Sequence, residues 1–507
     1  MKEFEKEAKQ KITGNCLIAA DVDKTYLCQS KDKEFEQVLF LSGLAPQLYK
    51  AANLGANLAF VTGNSMHNLC NRFLCLLLQQ LCNSKSLHLI EKFYFFCNSG
   101  GVYFHFPYSD PVFDEFRKPE NQIAKKIFRK LTKSQKKSRS VLPQFIDPDY
   151  VVRSEVKPKH IPKIKSILNE AWKIYIDDYN KNFKKYKLKY NIATAGTVNE
   201  EAYRLKLDGS GNIINDKGTK ISPIDIRRIE YYKNSTVNTA VTQITLKPVL
   251  SWQFALKKEA MISKDLRTKY IKFIQTRLDE IGLGQYIAKA GGRSSIDVTL
   301  EKLDKAYALE FLIDLLNLQG SQRKKQKLGS NTIYLGDEVI TGTGNDYPVT
   351  RIPGLLVLAV NPDKKLIPYL SHVFVPSIIH DGPKASEQVI TQFNTTADRL
   401  IGEYVNAKTT KKKYNVRSAL DVIKEEWFFT RIKDKINDLD HKKSLSVDDL
   451  QTLHAFTTIM SRDDESARKW LHILVRELDE IMTHLSNIDK TNSSLVPPIG
   501  FSHSDNL

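Results

Sequence analysis

Five short runs of almost unbroken hydrophobicity, most ending in a polar residue or a turn signal, constrain this chain more than any other feature. They are Leu17-Ile18-Ala19-Ala20 before Asp21, Leu58-Ala59-Phe60-Val61 before Thr62, Phe93-Tyr94-Phe95-Phe96-Cys97, Thr332-Ile333-Tyr334-Leu335-Gly336 before Asp337, and Leu355-Leu356-Val357-Leu358-Ala359-Val360. A strand with one buried face alternates apolar and polar residues. A run of this length without alternation fits a strand covered on both faces, as in a parallel sheet. Helical patterns, such as Met66 to Leu81 and Leu303 to Leu316, fall between the runs. Strand alternating with helix predicts an α/β fold with a doubly wound parallel sheet.

The runs fall into two blocks, and the chain between them has its own mixture of elements. Ile164 to Tyr179 reads as a helix, Val241 to Leu246 as a strand, and Asp208-Gly209-Ser210-Gly211-Asn212 as a turn. This pattern predicts a core in two parts, 1–104 and 293–396, with an α+β domain inserted over 105–292. After about Asn394 the strand signals stop, while Ala419 to Lys433 and Ala467 to Leu485 keep a helical period. A helical C-terminal extension over 397–507 follows. The 507 residues exceed what one core usually serves.

Composition narrows the function classes. Hydrophobic residues make up 41% and aromatics 10%, as in ordinary globular proteins. Met1 to Glu7 carries no apolar signal-peptide core, and no apolar run is long enough to span a membrane, so the expected location is cytoplasmic. All six cysteines lie between Cys16 and Cys97 without a C-x-x-C pair or a histidine cluster, which predicts buried free thiols. The net charge of +18 favours acidic partners, but the basic runs are scattered, as in Lys133 to Arg139 and Lys408 to Lys413. No nucleic-acid reader motif accompanies them, so nucleic acid is not an expected partner.

The polar residues that end the runs form one chemical set. In open parallel sheets ligands bind beyond the carboxyl ends of the strands. Asp21 ends the first run, and Asp23, two residues on, points the same way if the backbone is extended. One carboxylate can attack phosphorus while the other serves as acid and base. Thr62 ends the second run with a hydroxyl able to hold a phosphoryl oxygen. Lys305 opens a helical segment and can offset charge. Asp337 ends the fourth run, and Asp346 lies in the loop after it. With Asp21 these make an all-oxygen set that suits magnesium. Each residue alone has a plainer reading: Asp21 as a turn or cap residue, Thr62 as a strand former, Lys305 as a surface residue in competition with Lys302, Asn64 as a turn residue, Glu338 as a solvated acid. Tyr231, Tyr232 and Trp252 in the insertion are read as packing residues before stacking ones.

Asp21-Val22-Asp23-Lys24-Thr25, Phe60-Val61-Thr62-Gly63-Asn64, Lys305, and Gly336-Asp337 with Gly344-Asn345-Asp346 together resemble the four motifs of the haloacid dehalogenase superfamily of phosphatases and phosphomutases. The insertion between the second and third motifs resembles the branch with a large C2-type cap, which includes sugar phosphatases and phosphomannomutase relatives. Asp297-Val298 and Lys305-Ala306-Tyr307-Ala308-Leu309 resemble that branch's return to its core. The resemblance implies a Rossmann-like core, Mg2+, a small phosphorylated substrate and an aspartyl-phosphate intermediate. By position it makes Asp21 the nucleophile and Asp23 the acid/base, with the Asp23 carbonyl also on the metal. It makes Thr62, Gly63, Asn64 and Lys305 phosphate-binding, and Asp21, Asp23, Asp337 and Asp346 metal-binding. Two features depart from the pattern. Lys24 stands where the family's phosphatases usually have glycine, and Glu338 to Thr343 lengthen the fourth motif's loop. The implied activity is hydrolysis of a phosphomonoester, a sugar phosphate first. A phosphomutase and a non-catalytic binding protein on the same fold are the alternatives.

Overall fold

The computed structural model describes residues 1–28, 33–132, 141–181, 206–207, 213–214, 222–247, 264–291, 295–319, 331–339, 345–352, 355–360, 373–374, 381–424 and 426–427. The chain divides into two compact units, Met1–Ile367 with His372–Lys424, and Pro368–Ser371 with Glu425–Leu507. The second falls almost wholly outside the described residues, as do the predicted helix from Ala467 to Leu485 and the turn Asp208 to Asn212.

Seven strands form the principal sheet. They are β1 (Leu17–Ala20), β2 (Asn57–Val61), β3 (Phe93–Cys97) and β4 (Val102–His105), then β11 (Thr332–Gly336), β12 (Leu356–Ala359) and β13 (Val373–Phe374). The spatial order is β13–β12–β11–β1–β2–β3–β4. All neighbours are parallel except β4, which runs antiparallel to β3. This is an α/β, Rossmann-like sheet. Every residue of β1, β2, β3, β11 and β12 is buried.

The aromatic side chains show why the runs do not alternate. On β3, Phe95 stacks on Phe60 and Phe104 on one face. Its neighbour Phe96 projects to the other face and meets Tyr103 and Phe311. Phe311 belongs to the helix Lys305–Gln319, and Phe73, which packs on Phe60, belongs to a helical stretch. That stretch is Met66–Leu69, a π turn Cys70–Leu74 and Cys75–Asn83. The helices Lys2–Ile12 and Ala45–Leu54 both pack against Gly382–Thr409. That last helix runs through residue 397, where strand-free sequence suggested an extension.

The chain between β4 and β11 builds a second sheet. After the short antiparallel pair β5 (Lys206–Leu207) and β6 (Ile213–Ile214) come β7 (Ile224–Lys233), β8 (Thr236–Leu246), β9 (Tyr286–Gly291) and β10 (Ser295–Leu300). They pair antiparallel in the order β7–β8–β10–β9. One face carries Val241, Ile244, Ile296 and Val298 and packs on Leu168 and Trp172 of the helix Ile161–Lys181 and Ile274 of Lys264–Glu280. Asp297 and Val298, which resemble a return to the core, therefore lie in this second sheet, past residue 292. The pairing of Ser295–Leu300 with β9 and β8 holds them there. Tyr231 is buried and Tyr232 half-buried, while Trp252 lies outside the described residues.

Among the described residues, no helix is long and apolar enough to cross a membrane. The six cysteines are free thiols, four of them buried. Burial pushes the Cys16 thiol from 9.0 up to about 11, Cys70 up to about 12, and Cys97 well above its ordinary value. A raised thiol pKa contributes stability that is whole below the unfolded value near 9 and is lost as pH climbs through the folded values. Each thiol contributes a slope of ~1.4 kcal/mol per pH unit. Lys424, held down to about 8 by burial, works in the opposite direction between pH 8 and 10.5. Three thiols outweigh one lysine. The urea midpoint is expected to fall steeply between pH 9 and 10.5, and Cys16→Ala should flatten that fall. A midpoint constant over this range would contradict the burial of these groups.

Candidate active site

The strand order places β1 and β11 side by side at the point where the chain leaves one half of the sheet for the other. The crevice at such a switch point is where ligands bind in open α/β sheets. Register brings the acids together: Ala20 pairs with Leu335, and the Asp21 N–H donates to the Leu335 carbonyl at 2.9 Å. Asp21 and Asp337 therefore emerge together from adjacent strand ends. Asp346 arrives from the loop after β11. One carboxylate oxygen from each of Asp21, Asp337 and Asp346 lies within 4.8 Å of the others.

Lys305, the first residue of its helix, lies beneath this cluster at 2% exposure. Its Nζ is 3.1 Å from Asp21 Oδ1 and 2.6 Å from Asp346 Oδ1. Asp346 also accepts from the Tyr334 hydroxyl at 2.6 Å and from the Glu338 N–H at 3.0 Å. Burial pushes the Asp21 carboxyl well above the usual carboxylate range; Lys305 opposes this, and Asp346 and Asp337 reinforce it. Burial and Asp346 push Asp337 from 3.8 up to about 6, against the pull of Lys24. Lys305 is raised despite its burial because Asp21 and Asp346 flank it.

The second half of the site surrounds Asp23. Its carboxylate accepts from the Asn64 amide and, at 2.7 Å, from Arg72. It is not one of the three clustered acids. Arg72 also reaches the buried Glu36 at 3.0 Å. Thr62 is 1% exposed, and its Oγ1 accepts from the Asn64 backbone N–H at 3.1 Å, which leaves the hydroxyl hydrogen available to a ligand. Gly63 lies close to the fourth-motif loop: a Cβ there would be 3.6 Å from Ser99 Oγ and 3.9 Å from Asn345 Nδ2. Arg227, on β7 of the second sheet, donates to the Gly63 carbonyl and, at 3.5 Å, to Asn98 Oδ1. Asn98 in turn donates to Thr242 of β8 at 3.0 Å. The insertion is thus bonded to the loop that carries Thr62 and Asn64.

The structure therefore brings Asp21, Lys305, Asp337 and Asp346 into one cluster and joins Thr62 and Asn64 to Asp23, two residues after Asp21. Sequence reasoning missed Arg72, Tyr334 and Arg227. The one local signal for Arg72 is its charge inside a greasy helical stretch where Cys70, Phe73 and Leu74 are buried.

Magnesium fits the donor set. All three clustered groups are carboxylates, and oxygens on opposite sides of a magnesium ion stand about 4.2 Å apart, close to the spread seen here. Accepting hydrogen bonds does not exhaust Asp346, because each carboxylate oxygen has two lone-pair sites. Binding requires ionised ligands. With Asp337 near 6 and Asp21 raised as well, Mg2+ affinity is expected to fall about tenfold per pH unit for each proton displaced below pH 6. Titration calorimetry at pH 5, 6 and 7.5 measures this; an affinity that does not weaken at pH 5 would place the metal elsewhere.

No family model matches the chain, and no curated protein matches it. Solved structures align with it at low similarity. An N-terminally truncated Plasmodium falciparum IMP-nucleotidase shares 14% identity at a TM-score of 0.38, over 76% of this chain and 72% of that one. The sucrose-phosphatase of Synechocystis, in complex with sucrose and phosphate, shares 13% at 0.31, over 74% and 97%. Aspergillus fumigatus trehalose-6-phosphate phosphatase shares 10% at 0.34, over 78% and 98%. Likeness of this degree decides nothing about activity, so the functional reading rests on the geometry of the site.

Proposed function

We propose that the chain is a Mg2+-dependent phosphatase of the haloacid dehalogenase type, acting on a small organic phosphomonoester through an aspartyl-phosphate on Asp21. The observation that carries the reading is the position of Asp21: a buried carboxylate at the end of the central strand, touching Lys305 and within reach of two further acids. A carboxylate does not approach a phosphate dianion unless charge is neutralised, and such electrostatics supply much of the catalysis. Lys305 supplies part of that neutralisation. Mg2+ held by Asp21, Asp337, Asp346 and the Asp23 carbonyl would supply the rest.

In the first step an Asp21 carboxylate oxygen attacks phosphorus, and the bond to the leaving oxygen breaks. Asp23 gives its proton to that oxygen. In the second step Asp23 takes a proton from water, the water oxygen attacks phosphorus, and the Asp21–phosphorus bond breaks, which releases phosphate and restores both acids. Asn64 and Arg72 hold Asp23 in place for both transfers. Thr62, with the Gly63 backbone N–H, holds phosphoryl oxygens, and Asn64 orients the Thr62 hydroxyl for that role.

The insertion acts as a cap over this site. Its sheet is apolar on the face that packs on the helices, but Gln243, Thr245, Asp297 and Thr299 are buried polar residues of β8 and β10. Gln243 donates to Thr245 at 2.9 Å, and Thr245 to Asp297 at 2.8 Å. Polar side chains on this face of the insertion are compatible with a hydroxyl-rich leaving group, and a sugar phosphate is the first substrate class to test. The measurement is magnesium-dependent phosphate release from an aryl phosphate and from sugar-phosphate and nucleotide panels. Absence of turnover on all of them by folded protein would refute the reading. Isomerisation of a hexose phosphate without phosphate release would move it to a mutase.

A further inference from the structure

Lys24 adopts a left-handed backbone conformation, with φ of 59°. Glycine takes that conformation without steric cost, and any side chain does so at a cost. The backbone there is tightly held. The Lys24 N–H donates to the Leu27 carbonyl at 2.8 Å, and the Lys24 carbonyl abuts Gly382 at the start of the long helix. A side chain kept where glycine would fit better points to a use for that side chain.

Its ammonium lies in the acid cluster. Lys24 Nζ is 2.8 Å from Asp337 Oδ2 and 3.8 Å from Glu338 Oε1. Asp337 is one of the three acids that fit a divalent ion. The two lysines of the site differ in kind. Lys305 is fully enclosed and bridges Asp21 and Asp346, so it is part of the frame. Lys24 keeps 24% of its side chain exposed, on a stem able to swing outward.

We propose that Lys24 is an internal counter-cation that holds Asp337 until a divalent metal displaces it. The inference rests on the metal reading above and adds that loading is competitive. A monovalent ammonium and a divalent ion within about 4 Å repel strongly in a partly buried site, so the two do not share Asp337 at full strength. In the metal-free state Lys24 offsets the repulsion among Asp337, Glu338 and Asp346. When metal binds, the ammonium withdraws from Asp337. Lys24 is thus a positioning residue: it sets how much free metal the site needs.

The test is Mn2+ binding to the full chain, followed by electron paramagnetic resonance of the free ion at pH 7.5, without substrate. Lys24→Met keeps the stem and removes the charge, Lys24→Gly also removes the backbone strain, and Lys24→Arg keeps the charge. The Met and Gly variants are expected to bind Mn2+ on the order of tenfold tighter than the unaltered chain, with Arg close to it. A crystal structure with Mn2+ is expected to show Lys24 Nζ out of hydrogen-bond range of Asp337. Unchanged or weaker binding in both neutral variants overturns the proposal and leaves the phosphatase reading standing. So does a metal-bound structure with the Lys24–Asp337 contact intact. Failure of all four proteins to bind Mn2+ overturns both.

Discussion

Asp21→Asn is expected to lower phosphate release by on the order of 10⁴-fold or more while leaving the protein folded. Among the described residues the site offers no substitute nucleophile. Asp346 is held by Lys305, Tyr334 and the Glu338 N–H, Asp337 by Lys24, and Asp23 by Asn64 and Arg72. The effect on stability should run in the opposite direction. The Asp21 carboxyl is pushed well above the usual range by burial and by the neighbouring acids. A group of this kind contributes stability below its unfolded pKa and loses it as pH rises through the folded value, so at pH 7 the raised Asp21 carboxyl opposes folding. Asparagine removes that charge and leaves Lys305 its contact with Asp346. The metal-free variant should therefore melt no lower than the unaltered chain, and higher at neutral pH. Measurable turnover, above about 1% of the original, would assign the nucleophile elsewhere. A fall in melting temperature would mean that Asp21 is structural.

Gly382→Ala is expected to damage both stability and activity, although Gly382 carries no chemistry. A Cβ at this position would lie 1.6 Å from the Lys24 carbonyl oxygen and 3.5 Å from Thr25 Cα. These are backbone atoms of the loop that carries Asp23, and they cannot swing aside as a side chain would. The next turn of the same helix is bonded to that loop too, since Ser386 Oγ donates to the Thr25 carbonyl at 2.8 Å. Either the helix lifts or the loop shifts. Overpacking against fixed backbone costs about 3 kcal/mol, which in a unit of this size lowers the melting temperature by roughly 3 °C. A loop displaced by about 1 Å would cost roughly 100-fold in turnover. Thermal melts and phosphate release on the same preparation measure both. A melting temperature unchanged to within about 1 °C, with turnover also unchanged, would show that helix and loop are not in this contact.

The two substitutions separate what the sequence makes legible from what it hides. β1, β2, β3, β11 and β12 could be read because both faces are covered, as Phe95 and Phe96 show by packing on opposite sides. Lys305 could be placed at a helix start, and it is the first residue of Lys305–Gln319. The proximity of Asp21, Asp337 and Asp346 follows from parallel register once β1 and β11 are neighbours. The rest depends on contacts between segments far apart in the chain. Nothing near Gly382 announces that Lys24 will sit against it, 358 residues earlier. Arg72 finds Asp23 only because a π turn carries it there. Asp297 resembles a core-return residue, yet its strand pairs with β9 and β8, because strand pairing in an antiparallel sheet is set by neighbours that local pattern does not name.

β1 is flanked on both sides by fully buried parallel strands, and the Asp21 N–H is itself part of the ladder, bonded to Leu335. Amides in such a position exchange with solvent only when the whole domain opens. Asp21 thus belongs to the last segment to come apart, and Asp23 lies just beyond it, outside the ladder and held by its bridge to Leu27 and by Asn64 and Arg72. A deuterium pulse is therefore expected to label the Asp21 amide among the last in the domain, so the backbone under the attacking carboxylate stays fixed for as long as the fold itself does.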